Sequence, residues 1–570
     1  MTTYYLSSKS GSDTNSGTSA NQAWSSFSKL SGKLKAGDTV LLERGSDFEQ
    51  TLNLNKVYGT EKSPITFSSY GTGAAPVFSS DTDRGIVATN SNYLIFENLA
   101  VQDTAGNGFY GWNANNIVLR NMTFDNVGGT YNLGAVNMTK SSNILFQNNT
   151  VTNSHGDGIY MTLMNNVVVV DSAFKNATGS TADNIQISGS NTLIAGNIIV
   201  IDENSDTTKG NLVFQGENLY AHDNYMQGGS FGASISANNV IIQNNVILDH
   251  TKYNWSSNLM ITDQITGDTA KDITITGNNF YNAYRDINID GKNTSAANMT
   301  IYNLEISNNE FHDWLLAPVA FNGVNANGVL ENNISDKNGN FVYSASSNTG
   351  NLAVSDNVYV PETVASRPAA PPLLEPKIIT VVASGSQFEG FAPLMQLLVN
   401  GIVVEQREVT ALKANNQTQN FTFQIKSFGE DDIFSIKFVN DKFDLATGED
   451  RNLYIHSVAI EGESLNLKNA DVLGKIFYLK KEGNAMFYSS NAEAVFTSDD
   501  VPQHVLTKPV VTASPLPRLE DILSSDEHDI YYGGENHNIG ASSQNTFGTG
   551  FSDLTSSLED LHQALNTNIV

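Results

Sequence analysis

The octapeptide LIFENLAV at residues 94–101 returns, changed in detail but not in pattern, as IVLRNMTF at 117–124 and ILFQNNTV at 144–151. It continues as VVVVDSAF at 167–174, LIAGNIIV at 193–200, LYAHDNYM at 219–226, VIIQNNVI at 240–247, ITITGNNF at 273–280 and LEISNNEF at 304–311. The intervals run from 21 residues (219 to 240) to 33 (240 to 273). Each unit is a β-branched run, a polar pair that usually holds Asn, and a second apolar run. A further short strand follows, as in GAVNM (134–138), GIYMT (158–162), NIQIS (184–188), NLVFQ (211–215) and DINID (286–290).

Units this short have no room to bury an apolar face alone, whereas stacked coils share one continuous core. Asparagine suits the turn between two strands because its side chain tolerates the left-handed conformation, and stacked amides can bond from coil to coil. The pattern predicts an all-β chain: a right-handed parallel β-helix over residues 1–360, capped over about 1–60 and regular from about 60 to 355, followed by a small antiparallel β-sandwich. Five prolines in PETVASRPAAPPLLEP mark a stiff linker at 361–375. The sandwich is expected over 376–513, with its main strands in 376–465 and extra strands beyond. The Gly/Ser/Asn-rich stretch 514–570 is expected to be disordered, with a C-terminal amphipathic segment.

Composition narrows the function. Fifty-nine acidic against 31 basic residues give a formal net charge of -28, the wrong sign for a nucleic-acid footprint. A polyanionic substrate would need local cations to offset that field. There is no cysteine, hence no thiolate metal site. No apolar run approaches the roughly 20 residues that span a bilayer, so membrane insertion is not expected. An acidic, soluble monomer acting outside the cell fits this composition.

Strand alternation converts the repeat into a candidate site. With Ile159 and Met161 inward, Tyr160 faces out; Ile185 with Ile187, and Leu212 with Phe214, do the same on the next coils. This register puts Asp157 over Asp183 and Asp183 over Gly210, with Lys209 and His155 alongside. Tyr160 and Gln186 align on the outer face beneath Asn137. In NAYRDINIDG (282–291), Arg285 joins the Asp157 line and Asn288 faces outward, although an ion pair of Arg285 with Asp286 or Asp290 is the simpler expectation. Tyr110, Trp112, Tyr284 and Trp314 are candidate sugar-stacking rings.

Such a set suits abstraction of the C5 proton of a uronic acid. A base must reach the proton while a cation screens the sugar carboxylate. Lys209, or His155 with Tyr160, would serve as base and acid; Asp157 and Asp183 would hold calcium against the sugar carboxylate. Gln186, Asn137, Arg285 and Asn288 would bind substrate. A glycoside hydrolase needs two carboxyl groups about 5–10 Å apart, a spacing the two aspartates could also provide. Taken singly, each residue has a plain structural reading as a turn former or a solvated side chain.

The stretch TYYLSSKSGSDTNSGTSANQAWSSFSKL with KAGDTVLLERG resembles the cap and first coils of β-helix polysaccharide lyases. The set Asp157, Asp183 and Lys209 resembles the calcium-plus-lysine arrangement of one pectate lyase family. His155 and Tyr160 resemble the His/Tyr/Asp set of the mannuronan C5-epimerases. The resemblance implies a secreted lyase, with a C5-epimerase as the alternative and a non-catalytic glycan-binding adhesin as the alternative of another class. Further on, FVNDKFDLATGEDRNLYIHSVAIEG (438–462) resembles the calcium-dependent xylan-binding carbohydrate modules. That likeness implies calcium held by Asp441 and Asp450, with Asp444 as a weaker ligand and Asn440 and Asn452 shaping the loop; an internally paired Arg451 is the structural alternative. The C-terminal region resembles that of type I secretion substrates.

Overall fold

A computed structural model of the chain describes residues 1–502 except 72, 130–132, 180–181, 203–208, 264–268, 292–297, 361–376, 400–401, 426–431, 445–446, 475, 480–483 and 488–491. The expected linker and the C-terminal stretch 514–570 lie outside the described residues.

The repeat forms a parallel solenoid whose registers are set by the alternation. Phe109–Trp112 and Asn115–Arg120 are the first two strands of one coil, and Thr123–Val127 is its third. Strands of the first two kinds join in one 22-stranded sheet that bends around the axis, and the third kind forms a 13-stranded sheet. From Ile159 the first two strands merge into single bent strands such as Ile159–Val170, Ile185–Ala195 and Leu212–His222. Inward residues are sealed: Ile117, Leu119, Ile159, Met161, Ile185, Ile187, Leu212 and Phe214 have no exposure. Phe146 stacks between Phe124 at 6.3 Å and Phe174 at 5.7 Å, so rings from consecutive coils fill the axis. Burying each such ring contributes about 2–3 kcal/mol.

The polar pair in each unit has two separate tasks. Its first member turns the chain with positive φ, as at Asn98 (59°), Asn121 (52°), Asn148 (53°), Asp171 (51°) and Asn244 (54°). Its second member is a buried amide. Asn197, Asn224, Asn245, Asn278, Asn309 and Asn333 each donate Nδ2 to the next coil's Asn Oδ1 at 2.8–3.0 Å, ending on Asn357. This ladder satisfies amides that would otherwise be desolvated without partners.

At the N-terminus, Thr3–Leu6 pairs in parallel with Thr39–Glu43, which pairs with Ile65–Tyr70, so the first coils begin within the N-terminal stretch. The physical reason is that TYYL and TVLLE already alternate and lie flush with the first coil. The last solenoid strand is Val358–Tyr359.

The second unit is a sandwich of two antiparallel sheets with its own core, including Ile379, Val381, Phe421, Phe434, Leu453 and Phe496. The strands after residue 465 are members of these sheets rather than additions: Ala492–Thr497 pairs with Ile433–Phe438, and Asn484–Phe487 pairs with Leu453–Ile460.

Candidate functional site

The first strand of each coil places one outward row along the solenoid. Tyr110 pairs with Asn137, Asn137 with Tyr160, Tyr160 with Gln186, and Gln186 with Val213. One turn earlier in each coil runs a parallel column. Asp157 Oδ1 accepts the Asp183 N–H at 2.7 Å, and Asp183 Oδ1 accepts the Gly210 N–H at 2.9 Å. The expected stacking of these three positions is therefore the observed one. Glycine bounds the column on both sides. A Cβ at Gly134 would lie 2.3 Å from the Asp157 carbonyl oxygen, and one at Gly210 would lie 2.2 Å from that of Phe231.

Packing alters both acids. Asp183 is 2% exposed and Asp157 is partly covered. Burial is the main influence on each, pushing Asp157 up to about 6 and Asp183 up to about 7. The peptide N–H bonds and the positive charge of Lys209 pull the other way, while the Asp157 charge pushes Asp183 further up. Near neutral pH the pair holds about one proton between two carboxyl groups.

The remaining candidates separate into near and far. Tyr160, Gln186 and Asn137 lie on the row beside the acid pair, each partly exposed. The ring Nε2 of His155 meets Asn126 Oδ1 at 2.8 Å, so its recorded partner is Asn126 and not Asp157. Arg285 does join the Asp157 column, but five coils away: the line passes Asp183, Gly210, Phe231 and Ser257 before reaching it. At about 4.8 Å per coil that is about 24 Å. Arg285 donates to the Asn254 carbonyl at 3.1 Å and sits 5.0 Å from the Tyr284 ring, with no ion pair to Asp286 or Asp290 among the described contacts. Asp286 is instead fully buried and bonded by Asn258 at 2.8 Å. Asn288 follows Val213, Ser234 and Met260 along the outer row, too many coils away to join the acid pair. Trp314 is 8% exposed and packs in the core, which removes it as a stacking ring.

Two cations that the sequence reading passed over do reach this face. The Arg84 guanidinium lies 4.3 Å from the Tyr110 ring centre, and the Lys140 ammonium lies 6.0 Å from that of Trp112. Neither DTDRG nor MTKSS has a motif; only the coil register brings these side chains to the row.

Each aspartate of the pair spends one oxygen on a peptide N–H, whereas calcium takes six to eight oxygens, so the pair by itself would supply only part of a calcium site. No group of three or more metal-ligating side chains gathers among the described residues.

The sandwich loop is better suited. Asp441 and Asn452 face each other across the pairing of Lys442–Phe443 with Asp450–Arg451. Asn452 Nδ2 donates to Asp450 Oδ2 at 2.7 Å, while the buried Asn452 Oδ1 has no hydrogen-bond partner. That oxygen, with Asp441 and Asp450, is the donor chemistry calcium takes. The backbone N–H of Asp444 closes a turn onto the Glu449 carbonyl at 3.0 Å. Arg451 is internally paired, donating to the carbonyls of Phe391, Asn440 and Phe388 at 3.1, 2.8 and 3.2 Å. It pins the loop through backbone carbonyls. Asn440 anchors the other side through Leu394 N–H and the Ala392 carbonyl.

Two family models match parts of the chain. One, described as a right-handed β-helix region, covers residues 77–207. The other, described as a Ca-dependent carbohydrate-binding module, xylan-binding, covers residues 378–475. A lacto-N-biosidase of Bifidobacterium longum subsp. longum is 42% identical over 95 residues, which are 16% of this chain and only 5% of that protein. A solved lacto-N-biosidase from Eubacterium ramulus aligns over 63% of this chain and 67% of its own, at 16% identity and a TM-score of 0.44. A solved pectate lyase aligns over 64% of this chain and 82% of its own, at 16% identity and a TM-score of 0.35. The module match supports calcium and a carbohydrate ligand for the sandwich.

Proposed function

We propose that the chain is a polysaccharide lyase that cleaves a uronic-acid polymer on the solenoid face and is held near it by the sandwich module. The observation behind this reading is the acid pair on consecutive coils, sharing a proton near neutral pH, with the Lys209 charge beside both. Elimination needs these three parts. The ionised carboxylate of the pair takes the C5 proton, and Lys209 balances the sugar carboxylate as negative charge builds on C5. The protonated partner delivers its proton to O4 as the C4–O4 bond breaks and the C4–C5 double bond forms. Tyr160, Asn137 and Gln186 would hold the ring across the row. Asp441 and Asp450, with Asn452, would hold the module's calcium, placing sugar hydroxyls on the ion.

One observation favours a second reading. Two carboxyl groups one coil apart, about 4.8 Å, approach the 5–5.5 Å that retaining glycoside hydrolases use. The identity shared with a lacto-N-biosidase agrees with hydrolysis. A panel of polygalacturonate, alginate and neutral polymers separates the two. An ultraviolet rise from unsaturated uronate on an acidic polymer supports the lyase. New reducing ends without that rise support the hydrolase. Solvent-proton exchange at C5 without cleavage supports the epimerase, and binding without any reaction leaves the adhesin.

A further inference from the structure

The strand Phe109–Trp112 turns Phe109 and Gly111 into the core and leaves Tyr110 and Trp112 on the outer face. Trp112 is 38% exposed, high for a residue of its size on a packed sheet. Each ring has a cation beside it, Arg84 at Tyr110 and Lys140 at Trp112. Arg84 is oriented by its Nε, which donates to Asn107 Oδ1 at 3.3 Å, and Asn107 is itself buried and fixed to the Gly134 carbonyl at 3.0 Å. The terminal nitrogens of Arg84 and the ammonium of Lys140 form no ion pair among the described residues. In a chain with 59 acidic side chains and 31 basic ones, two such cations on one face are out of keeping with the bulk charge.

We propose that Arg84, Tyr110, Trp112 and Lys140 form a subsite for an acidic sugar, two coils on the N-terminal side of Tyr160. The placement follows from the pairing Tyr110–Asn137–Tyr160, about 10 Å along the axis. Pyranose rings present apolar C–H faces that stack on aromatic rings, and the guanidinium can take a carboxylate through two parallel N–H bonds. A neutral sugar would use the rings and leave both cations without a partner. A uronate uses all four groups. The subsite thus deepens the uronate reading of the acid pair, on which it rests, and assigns the polymer an orientation along the solenoid axis.

The test is a binding measurement that needs no turnover: calorimetry on the full chain with Asp183→Asn and Asp450→Ala, to stop cleavage and silence the module. The probes are tetragalacturonate, tetramannuronate and cellotetraose. The result expected is preference for a uronate tetramer over cellotetraose, with Arg84→Gln and Lys140→Gln each weakening that tetramer at least tenfold and leaving cellotetraose unchanged. Both glutamine variants keep a long polar side chain, and an unchanged melting temperature shows that they fold. Equal affinity for acidic and neutral tetramers, unchanged affinity in both variants, or no uronate binding overturns the subsite. Because cleavage is disabled, a failed lyase assay on the wild-type chain is a separate result from a failed subsite.

Discussion

Asp157 Oδ1 accepts the peptide N–H of Asp183 at 2.7 Å, so one acid of the pair holds the backbone that presents the other. The same atoms that close one coil onto the next set the spacing of the two carboxyl groups. Burial then raises both, to about 6 and about 7, instead of leaving two independent surface acids.

Turnover should therefore depend on pH as a bell whose limbs report the pair as a unit, with apparent values near 6 and 7. Asp183→Asn should lower kcat by about a hundredfold or more while keeping the Gly210 bond through its amide oxygen. A pH–rate profile without either limb, or full activity in Asp183→Asn, would remove the pair from the chemistry.

Stability should move with pH in a direction fixed by the same shifts. Both acids bind protons more tightly in the fold than in the unfolded chain. Their contribution is full below the unfolded value near 3.8 and is lost as pH rises through about 6 to 7. Relative to wild type, the double variant Asp157→Asn, Asp183→Asn should gain up to about 6 kcal/mol between pH 4 and pH 8. Thermal melts at both pH values measure it, and a constant difference would contradict the burial argument.

Lys209 lowers the proton affinity of both acids. Lys209→Ala should abolish turnover without unfolding the protein. Any residual activity should have its pH limbs displaced upward, since an opposing charge is gone. Unchanged activity in this variant would remove Lys209 from the mechanism.

The module should act on binding and leave the chemistry alone. Asp450→Ala, or calcium removal by a chelator, should weaken retention on an insoluble xylan-like or acidic polymer at least tenfold while cleavage of short soluble oligomers continues. Affinity electrophoresis with and without chelator reads this outcome. Loss of oligomer cleavage together with retention would show that the ion serves the solenoid as well.

The amide ladder should be costly to interrupt. Asn245 donates to Asn278 Oδ1 and to the Ala221 and Gln243 carbonyls, and its own Oδ1 accepts from Asn224. Asn245→Ala leaves these buried groups unsatisfied and should destabilise the solenoid by about 2–4 kcal/mol in denaturant melts.

The coil was legible in the residue pattern alone, because side chains alternate with a period of two and parallel strands keep register from one coil to the next. That is why Ile159, Ile185 and Leu212 could be aligned by pattern, and why Asp157, Asp183 and Gly210 followed them into one column. Distance around and along that column came only from the folded coils. Arg285 shares the line of Asp157 yet lies five coils off, and Arg84 and Lys140 reach the face from stretches that show no motif. Proton affinity also lay beyond the pattern, since it depends on how much water the surrounding coils leave at each carboxylate. Alternation is local, whereas desolvation and proximity are sums over neighbours brought together only when the coils stack.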